Sequence, residues 1–247
     1  MMFPPSGNQY EIVSGEHHAV ITEVGATLRS YNYAGREVIL SFAEDKTPIS
    51  RQGQHLIPWP NRIKDGQYSF QDTKYQLPIN EHARNNAIHG LTAWTPWELI
   101  ELYPTMVRLR NTIFPQPGWP AILKCDLIHE FDDNGLTTTI EVKNLGETDA
   151  PFGYGAHPYF QFDCPIDEIE LTATFDSQLQ VDDRLLPTEL VKAPAVDGVI
   201  GSTSYDTAFT LTEPDSGIWN IALRHEDQKT TIWGDENLPW VQIYTPP

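Results

Sequence analysis

Short strand-like segments, separated by turn residues, run through the whole sequence and limit what the chain can fold into. The segments are rich in β-branched and aromatic residues and often alternate apolar with polar positions, which is typical of half-buried strands. The clearest are HHAVITEV, REVILSF, MVRLRNTIF, LKCDLIHEF, LTTTIEV, EIELTATF, WNIALRH and WVQIYT. Turn clusters such as YAGR, DDNG and GDENLP lie between them. The pattern predicts antiparallel strands joined by tight turns.

Helical periodicity does not extend over three turns in any segment, and we expect EHARNN, residues 81–86, to form at most one turn. The stretch FDDNGLTTTIEV predicts a β-hairpin with Asn134 and Gly135 at its tip. The 20 prolines and 16 glycines are spread along the chain, so no linker or domain boundary stands out. We therefore expect residues 1–247 to form a single all-β domain, a large antiparallel β-sandwich or barrel.

Composition narrows the classes of function. With 40% hydrophobic residues the chain can build a packed core, and a net charge of -18 opposes binding to nucleic acid or to an anionic membrane surface. Two cysteines, Cys125 and Cys164, predict free thiols in a reducing compartment. We find no signal-peptide pattern and no apolar stretch of membrane-spanning length. These features predict a cytoplasmic protein with no nucleic-acid or membrane partner.

Two of the eight histidines have an unusual local context. His89, in NAIHGL, precedes Gly90, which permits a positive φ or the close approach of another group. His157, in GAHPYF, precedes Pro158, which favours an extended backbone, and Tyr159 offers a flat face suited to a sugar ring. On local context alone, a structural and a functional role are both open for each histidine. His55 is ambiguous because it lies close in sequence to the segment PWPNRI, and we expect the other five to be structural or solvated.

An arginine and an aspartate add candidate ligand-binding groups. Arg62 follows Asn61 in a proline-bounded turn, and its fork of donors can bind vicinal hydroxyls or a carboxylate. Asp206, in SYDTAFTL, lies just before an apolar strand, where a turn or capping role is equally open. We expect no metal site, because no H-x-H or H-E-x-x-H pair occurs. We also find no G-x-S-x-G nucleophile motif and no Gly-rich phosphate loop.

Five motifs in the same order resemble the aldose 1-epimerase (galactose mutarotase) family. They are PWPNRIKDGQYSF, NNAIHGL, GAHPYF, YDTAF and PWVQIYT, and the resemblance runs from GATLRSY to the end of the sequence. It implies a β-sandwich of the galactose mutarotase type, called a supersandwich. The implied reaction interconverts the α and β anomers of an aldohexose by opening and closing the ring, with no cofactor.

The resemblance also implies roles for residues. His157 would be the general acid that protonates the ring oxygen, and His89 with Arg62 would bind hydroxyls or the ring oxygen and steady the developing charge. Asp206 would accept hydrogen bonds from sugar hydroxyls. Further predicted substrate contacts are Asn61, Tyr159 and Gln242.

One departure concerns the general base. In the family this base is a glutamate beyond the Y-T strand, whereas Glu226 and Glu236 both precede that strand here. The resemblance therefore leads us to expect that the natural polypeptide continues past Pro247. An alternative function is a non-catalytic sugar-binding β-sandwich, lectin-like or sensory, which needs no acid–base pair. The sugar, its phosphorylation and the oligomeric state are left open.

Overall fold

The computed structural model describes residues 3–211 and 217–245, and within them regular structure is almost entirely β. The one helical element in these ranges is a 3₁₀ turn, Ile166–Glu168. All strand pairs between the named strands are antiparallel, so the predicted all-β antiparallel fold is confirmed. The chain forms two compact units, residues 1–161 and 162–247. A single domain over residues 1–247 stays a prediction.

The first unit contains two four-stranded sheets and several short strand pairs. The first sheet has the order β1 Gln9–Ser14, β2 His17–Thr22, β3 Leu28–Tyr33 and β4 Arg36–Glu37. Short strands follow: β5 His55–Leu56, β6 Arg62–Lys64, β7 Gln67–Phe70, β8 Thr73–Gln76 and β9 Asn86–Ile88. The second sheet has the order β10 Glu98–Tyr103, β11 Met106–Ile113, β12 Leu123–Asp132 and β13 Gly135–Asn144. A last short strand, β14 Gly155–Ala156, pairs with β5, while β6 pairs with β9 and β7 with β8.

The core of the first unit follows from strand alternation. On β11, Val107 and Leu109 are buried while Arg108 and Arg110 point to the other face, because successive side chains of a strand alternate between faces. The apolar sides of β1, β2, β11 and β12 pack together around Trp97, which is 1% exposed.

The polar face of β11 and β12 carries a small ion-pair network. Asp126 accepts hydrogen bonds from Arg110 Nε at 2.6 Å and from Arg108 Nε at 3.0 Å. Hydrogen bonds from Arg110 and Arg108 outweigh the effect of burial and lower the pKa of Asp126 to about 2. The buried Asp126 carboxylate of β12 is therefore paired with two arginines of β11.

The second unit also contains two four-stranded sheets. Its strands are β15 Glu170–Ala173, β16 Phe175–Val181, β17 Pro187–Lys192, β18 Val196–Val199, β19 Asp206–Leu211, β20 Ile218–His225, β21 Gln228–Asp235 and β22 Trp240–Tyr244. The sheet orders are β18-β15-β20-β21 and β17-β16-β19-β22. A separate apolar cluster holds this unit together, with Leu171 and Ile221 among its buried members. In the part of the chain that the structure describes, no helix is long and apolar enough to cross a membrane.

Local predictions of turns are confirmed, and the strand predicted for REVILSF is shorter than expected. The hairpin at Asn134-Gly135 forms, with Asp132 paired to Gly135. Residues 82–85 form turns and no helix. The strand predicted for REVILSF is limited to Arg36–Glu37, because the residues after it bond instead to the segment 159–161. Leu40 N–H donates to Tyr159 O at 2.7 Å, which fixes the backbone beside a predicted site residue.

Candidate functional site

Two hydrogen bonds with the main chain of Asn61 hold His89 in place. The His89 N–H donates to Asn61 O at 3.0 Å, and the Asn61 N–H donates to His89 Nδ1 at 3.2 Å. Both residues lie in the left-handed region, with φ of 63° and 54°. Gly90 also has a positive φ, and a Cβ there would lie 2.1 Å from Ile57 O, so the glycine in NAIHGL is required by a close backbone approach.

The hydrogen bond to Nδ1 fixes the tautomer of His89. Because Nδ1 accepts a hydrogen bond from the backbone N–H of Asn61, the neutral ring carries its own proton on Nε2. Burial lowers the pKa of His89 to about 3, and the charges of His157, Arg51 and Arg62 act in the same direction. At neutral pH His89 is therefore an uncharged ring with an N–H to donate.

The His157 ring lies beside the His89 ring. Its main chain is bonded on both sides: the His157 N–H donates to Gln54 O at 3.0 Å and its C=O accepts from Gly53 N–H at 2.9 Å. These bonds extend the pairing of β14 with β5. The His89 and His157 rings are 5.7 Å apart, edge to face, with an interplanar angle of 86°. Both residues are half-buried.

Tyr159 continues this arrangement. Its ring stacks on His157 with centroids 5.3 Å apart and an interplanar angle of 30°. The Tyr159 hydroxyl donates to Ser50 O at 3.2 Å. The rings of His89, His157 and Tyr159, together named the ring cluster below, offer two nitrogen heterocycles and one flat aromatic face within a single compact unit.

Arg62 is held beside the ring cluster by a carboxylate that the sequence did not single out. Its Nε lies 3.1 Å and 3.0 Å from the two carboxylate oxygens of Glu81, and its Nη1 donates to Asn61 Oδ1 at 3.2 Å. The side chains of Arg62 and Glu81 are each only 13% exposed. Arg62 Nη2 has no hydrogen bond to any residue in the described ranges, so it keeps donors for a ligand.

The Glu81 carboxylate accepts hydrogen bonds from several side chains. Besides Arg62, Asn86 Nδ2 donates to its carboxylate at 2.9 Å and Arg84 Nη1 at 3.2 Å. Burial alone would raise the pKa of Glu81, but the hydrogen bonds from Arg62 and Asn86 outweigh it and the pKa is lowered. Glu81 stays ionised and positions Arg62.

Asp206 and Gln242 belong to the second unit. They lie on the paired strands β19 and β22, and Gln242 Nε2 donates to Asp206 Oδ1 at 2.8 Å. Both are exposed. The predicted site residues therefore form two groups, one in each unit: Asp206 and Gln242 here, and Asn61, Arg62, His89, His157 and Tyr159 in the first unit.

His55, ambiguous from the sequence, is buried at 3% exposure. Its Nδ1 lies 2.9 Å from the Tyr154 hydroxyl, and its ring lies 5.2 Å from that of the fully buried His129. The Thr138 hydroxyl lies 3.0 Å from His129 Nδ1. Burial lowers the pKa of His55 well below its usual value and that of His129 to about 4. Both rings are neutral core residues.

Among residues 3–211 and 217–245, no group of three or more His, Cys, Asp or Glu side chains is arranged to hold a metal ion. The site of the first unit presents the acid–base and hydrogen-bonding groups described above. A heterocycle pair, an arginine with free donors and a stacked tyrosine suit a neutral polyhydroxy ligand that exchanges protons.

Residues 8–247 match the sequence model of the aldose 1-epimerase family. The chain belongs to the aldose 1-epimerase family. The uncharacterized protein YihR of Escherichia coli K12 is 32% identical over 248 residues, which cover 97% of this chain and 80% of YihR. Galactose mutarotase of Rattus norvegicus is 27% identical over 234 residues, 85% of this chain. The chain spans 63% of the rat enzyme, less than two thirds of its length.

A solved structure agrees with this assignment of fold. The aldose epimerase homologue of C. elegans superposes with a TM-score of 0.78 at 19% identity, covering 89% of this chain and 75% of the homologue. The predicted β-sandwich of the galactose mutarotase type is thereby confirmed as the fold class. Membership of the aldose 1-epimerase family and the similarity to galactose mutarotases support an isomerase that interconverts sugar anomers.

Proposed function

We propose that this aldose 1-epimerase family member interconverts the α and β anomers of an aldohexose by acid–base catalysed opening and closing of the pyranose ring. The observation that carries the proposal is the edge-to-face pair of His89 and His157 at 5.7 Å, with Arg62 beside it. Anomer exchange requires protonation of the ring oxygen and removal of the C1 hydroxyl proton. The open-chain aldehyde then rotates about C1–C2 and closes on its other face, with the proton transfers reversed.

His157 and His89 act at the ring oxygen in this proposal, and the C1 hydroxyl proton passes to a water molecule. His89 is uncharged at neutral pH, since its pKa is lowered to about 3, so it serves as a hydrogen-bond donor through Nε2. The proton that moves to the ring oxygen is assigned to His157, the position that the family resemblance gives to the general acid. A well-placed proton-transfer group contributes about 10²–10⁴-fold to the rate.

Arg62 and Tyr159 hold the sugar in this proposal. Because both Glu81 oxygens accept from Arg62 Nε, the guanidinium is fixed before the ligand arrives, and its free Nη2 donors face no competing described residue. The ring of Tyr159, parallel within 30° to that of His157, supplies an apolar face for sugar C–H groups.

The remaining predicted roles have less direct support. Asn61 anchors His89 and Arg62 through its backbone and side chain, which makes it a positioning residue. Asp206 and Gln242 stay predicted sugar contacts, supported by the family resemblance and by their exposed carboxylate–amide pair. Glu81 is a poor base, because hydrogen bonds from Arg62 and Asn86 lower its pKa and already occupy its oxygens.

A cytoplasmic location is part of the proposal. It is supported by the two cysteines: buried Cys125 and half-buried Cys164 are both free thiols. Burial raises the pKa of Cys125 to about 12, so this thiol is unreactive and packs as a small apolar side chain.

Polarimetry tests the function. Freshly dissolved α-D-glucose and α-D-galactose are followed with the protein and with buffer alone, and we expect faster mutarotation with the protein. His157→Asn should lower the turnover number by about 10²–10⁴-fold with little change in KM, because it removes a proton transfer and keeps the other contacts. His82→Asn, at an exposed loop position, is the matched control.

Two outcomes would contradict the proposal. A folded His157→Asn protein with wild-type turnover would remove His157 from the mechanism. Sugar binding by calorimetry without any acceleration of mutarotation would instead support the non-catalytic sugar-binding alternative.

A further inference from the structure

The turn at residues 50–54, named the Arg51 turn below, is hydrogen-bonded to two residues of the ring cluster. Its Ser50 carbonyl accepts the Tyr159 hydroxyl, and the backbone of Gly53 and Gln54 brackets His157 at 2.9 Å and 3.0 Å. The turn is closed by the Gln54 N–H, which donates to Arg51 O at 2.9 Å. Arg51 therefore lies on a segment whose position is tied to His157 and Tyr159.

Arg51 occupies a backbone position that does not favour an arginine. Its φ is 67°, and Ser50 before it has a φ of 50°. The left-handed region is unfavourable for a residue with a Cβ, so the turn itself would be better served by glycine or asparagine. Strained residues cluster at active sites and ligand clamps, which makes the Arg51 side chain a candidate for a ligand contact.

The guanidinium of Arg51 contacts an aromatic ring and no acidic side chain among the described residues. It lies over the Trp94 ring, 5.4 Å from the centroid, and Trp94 is 52% exposed. Within the described ranges it makes no ion pair and no hydrogen bond, whereas Arg62 pairs with Glu81 and Arg108 with Asp126. A half-buried cation with all its donors unused is suited to an anionic ligand.

Two electrostatic observations fit such a ligand. The Arg51 charge contributes to lowering the pKa of His89, so it acts on the ring cluster itself. Burial also lowers the pKa of Arg51, and an anion would relieve that unfavourable desolvation. The whole chain has a net charge of -18, so an anion is attracted by this local site and not by the long-range field.

We propose that Arg51 and Trp94 form a subsite for an oxyanion group carried by the sugar on a carbon away from C1. The inference rests on the proposed function, in which C1 and the ring oxygen lie at His89 and His157. A carboxylate and a phosphate share the chemistry that a guanidinium recognises, with two parallel N–H···O bonds to one group. Trp94 contributes an exposed flat face next to the charge and holds the guanidinium by a cation–π contact.

Calorimetric titration with three sugars tests the subsite: D-glucose, D-glucuronate and D-glucose 6-phosphate. We expect at least one of the two anionic sugars to bind the wild-type protein about 10-fold more tightly than glucose. The glucuronate and 6-phosphate arms identify which oxyanion the subsite takes. Arg51→Met, which keeps an unbranched side chain and removes the charge, should lower the ratio of anionic to neutral affinity about 10-fold.

Two further variants separate charge from geometry. Arg51→Lys should keep part of the preference for the phosphate, which tolerates a point charge, and lose more of the preference for the carboxylate. Arg224→Met, at an exposed position in the second unit, is the matched control and should leave the ratio unchanged.

Equal wild-type affinity for all three sugars overturns the inference. So does an Arg51→Met substitution that lowers the affinity for glucose as much as the affinity for the anionic sugars. The proposed function fails separately if the optical rotation of none of the three sugars relaxes faster with the wild-type protein than in buffer. A protein that binds none of them overturns both.

Discussion

Two pairs of histidine rings lie at similar separations in this protein, and their surroundings differ. The open pair, His89 and His157, has its rings 5.7 Å apart, and both residues are half-buried. The buried pair, His55 and His129, has its rings 5.2 Å apart, and neither residue is more than 3% exposed. Burial lowers the pKa of His89, His55 and His129 alike. A lowered pKa therefore does not by itself mark a functional histidine.

The two histidine pairs differ in whether a ligand can reach their rings. His89 uses Nδ1 for a backbone bond and keeps an Nε2 proton on a half-exposed ring beside Arg62. His55 uses Nδ1 for Tyr154, and its Nε2 is buried without a hydrogen-bond partner in the described residues. An unpaired buried nitrogen costs stability and gains no ligand. The open pair is suited to chemistry and the buried pair to packing, which the following predictions test.

The largest expected effect is on stability, from the buried pair. His129→Ala removes a fully buried ring and leaves the Thr138 hydroxyl without its partner. We expect the free energy of unfolding to fall by about 3 kcal/mol, measured by urea denaturation. The turnover number of the folded fraction should stay close to wild type. A normal free energy of unfolding together with a reduced turnover number would assign the buried pair a catalytic role and break the comparison.

The open pair should respond in the opposite way. His89→Asn tolerates the positive φ but cannot present an N–H at the position of His89 Nε2. We expect mutarotation to slow about 30-fold, equivalent to about 2 kcal/mol on the barrier, while the melting temperature stays the same or rises. Polarimetry and a melting curve on the same sample measure the two. Loss of stability without loss of rate would make His89 a packing residue.

The smallest effect concerns pH. An unfolded histidine takes up a proton near pH 6.5, whereas folded His129 does so only near pH 4. The unfolded state thus binds more protons between these values, so the free energy of unfolding falls as the pH falls from about 6.5 to 4. His129→Ala should reduce this slope by about 1 kcal/mol per pH unit.

The measurement is urea denaturation of wild type and His129→Ala at several pH values between 4.5 and 7. Asp126 does not contribute to the slope between pH 4.5 and 7. Its folded pKa is about 2, so its contribution to the free energy of unfolding is lost only as the pH falls below about 4. Identical slopes in the two proteins would show that His129 takes up its proton in the folded state as easily as in the unfolded one.

The sequence predicted the strands whose pattern is local. In the segment MVRLRNTIF, Val107, Leu109 and Ile113 are buried on one face of the strand, and β11 forms where predicted. The segment EIELTATF was read as one strand, but β15 ends at Ala173 and β16 begins at Phe175 in a different sheet. Whether a strand changes sheets is decided by its partners far along the chain, which local periodicity does not contain.

The candidate site was predictable to the extent that backbone geometry is visible in residue types. Gly90 marked His89 because only glycine fits against Ile57 O, and Pro158 marked the extended segment at His157. Glu81 and Arg51 gave no such signal. Glu81 lies in a polar loop, and its bond to Arg62 exists only after β6 pairs with β9. The contact of Arg51 with Trp94 likewise joins two distant loops.

The two proposed catalytic histidines are positioned by hydrogen bonds with main-chain groups of other residues. His157 is held through the peptide groups of Gly53 and Gln54, and His89 through those of Asn61. Every amino acid supplies the carbonyls in these bonds, and all but proline supply the amides. The Gln54 carbonyl that holds the His157 backbone does not depend on the Gln54 side chain, which is buried and donates separately to Ala93 O at 2.8 Å. A comparison of homologues by side-chain identity alone would overlook these hydrogen bonds, because they are made mainly by backbone N–H and C=O groups.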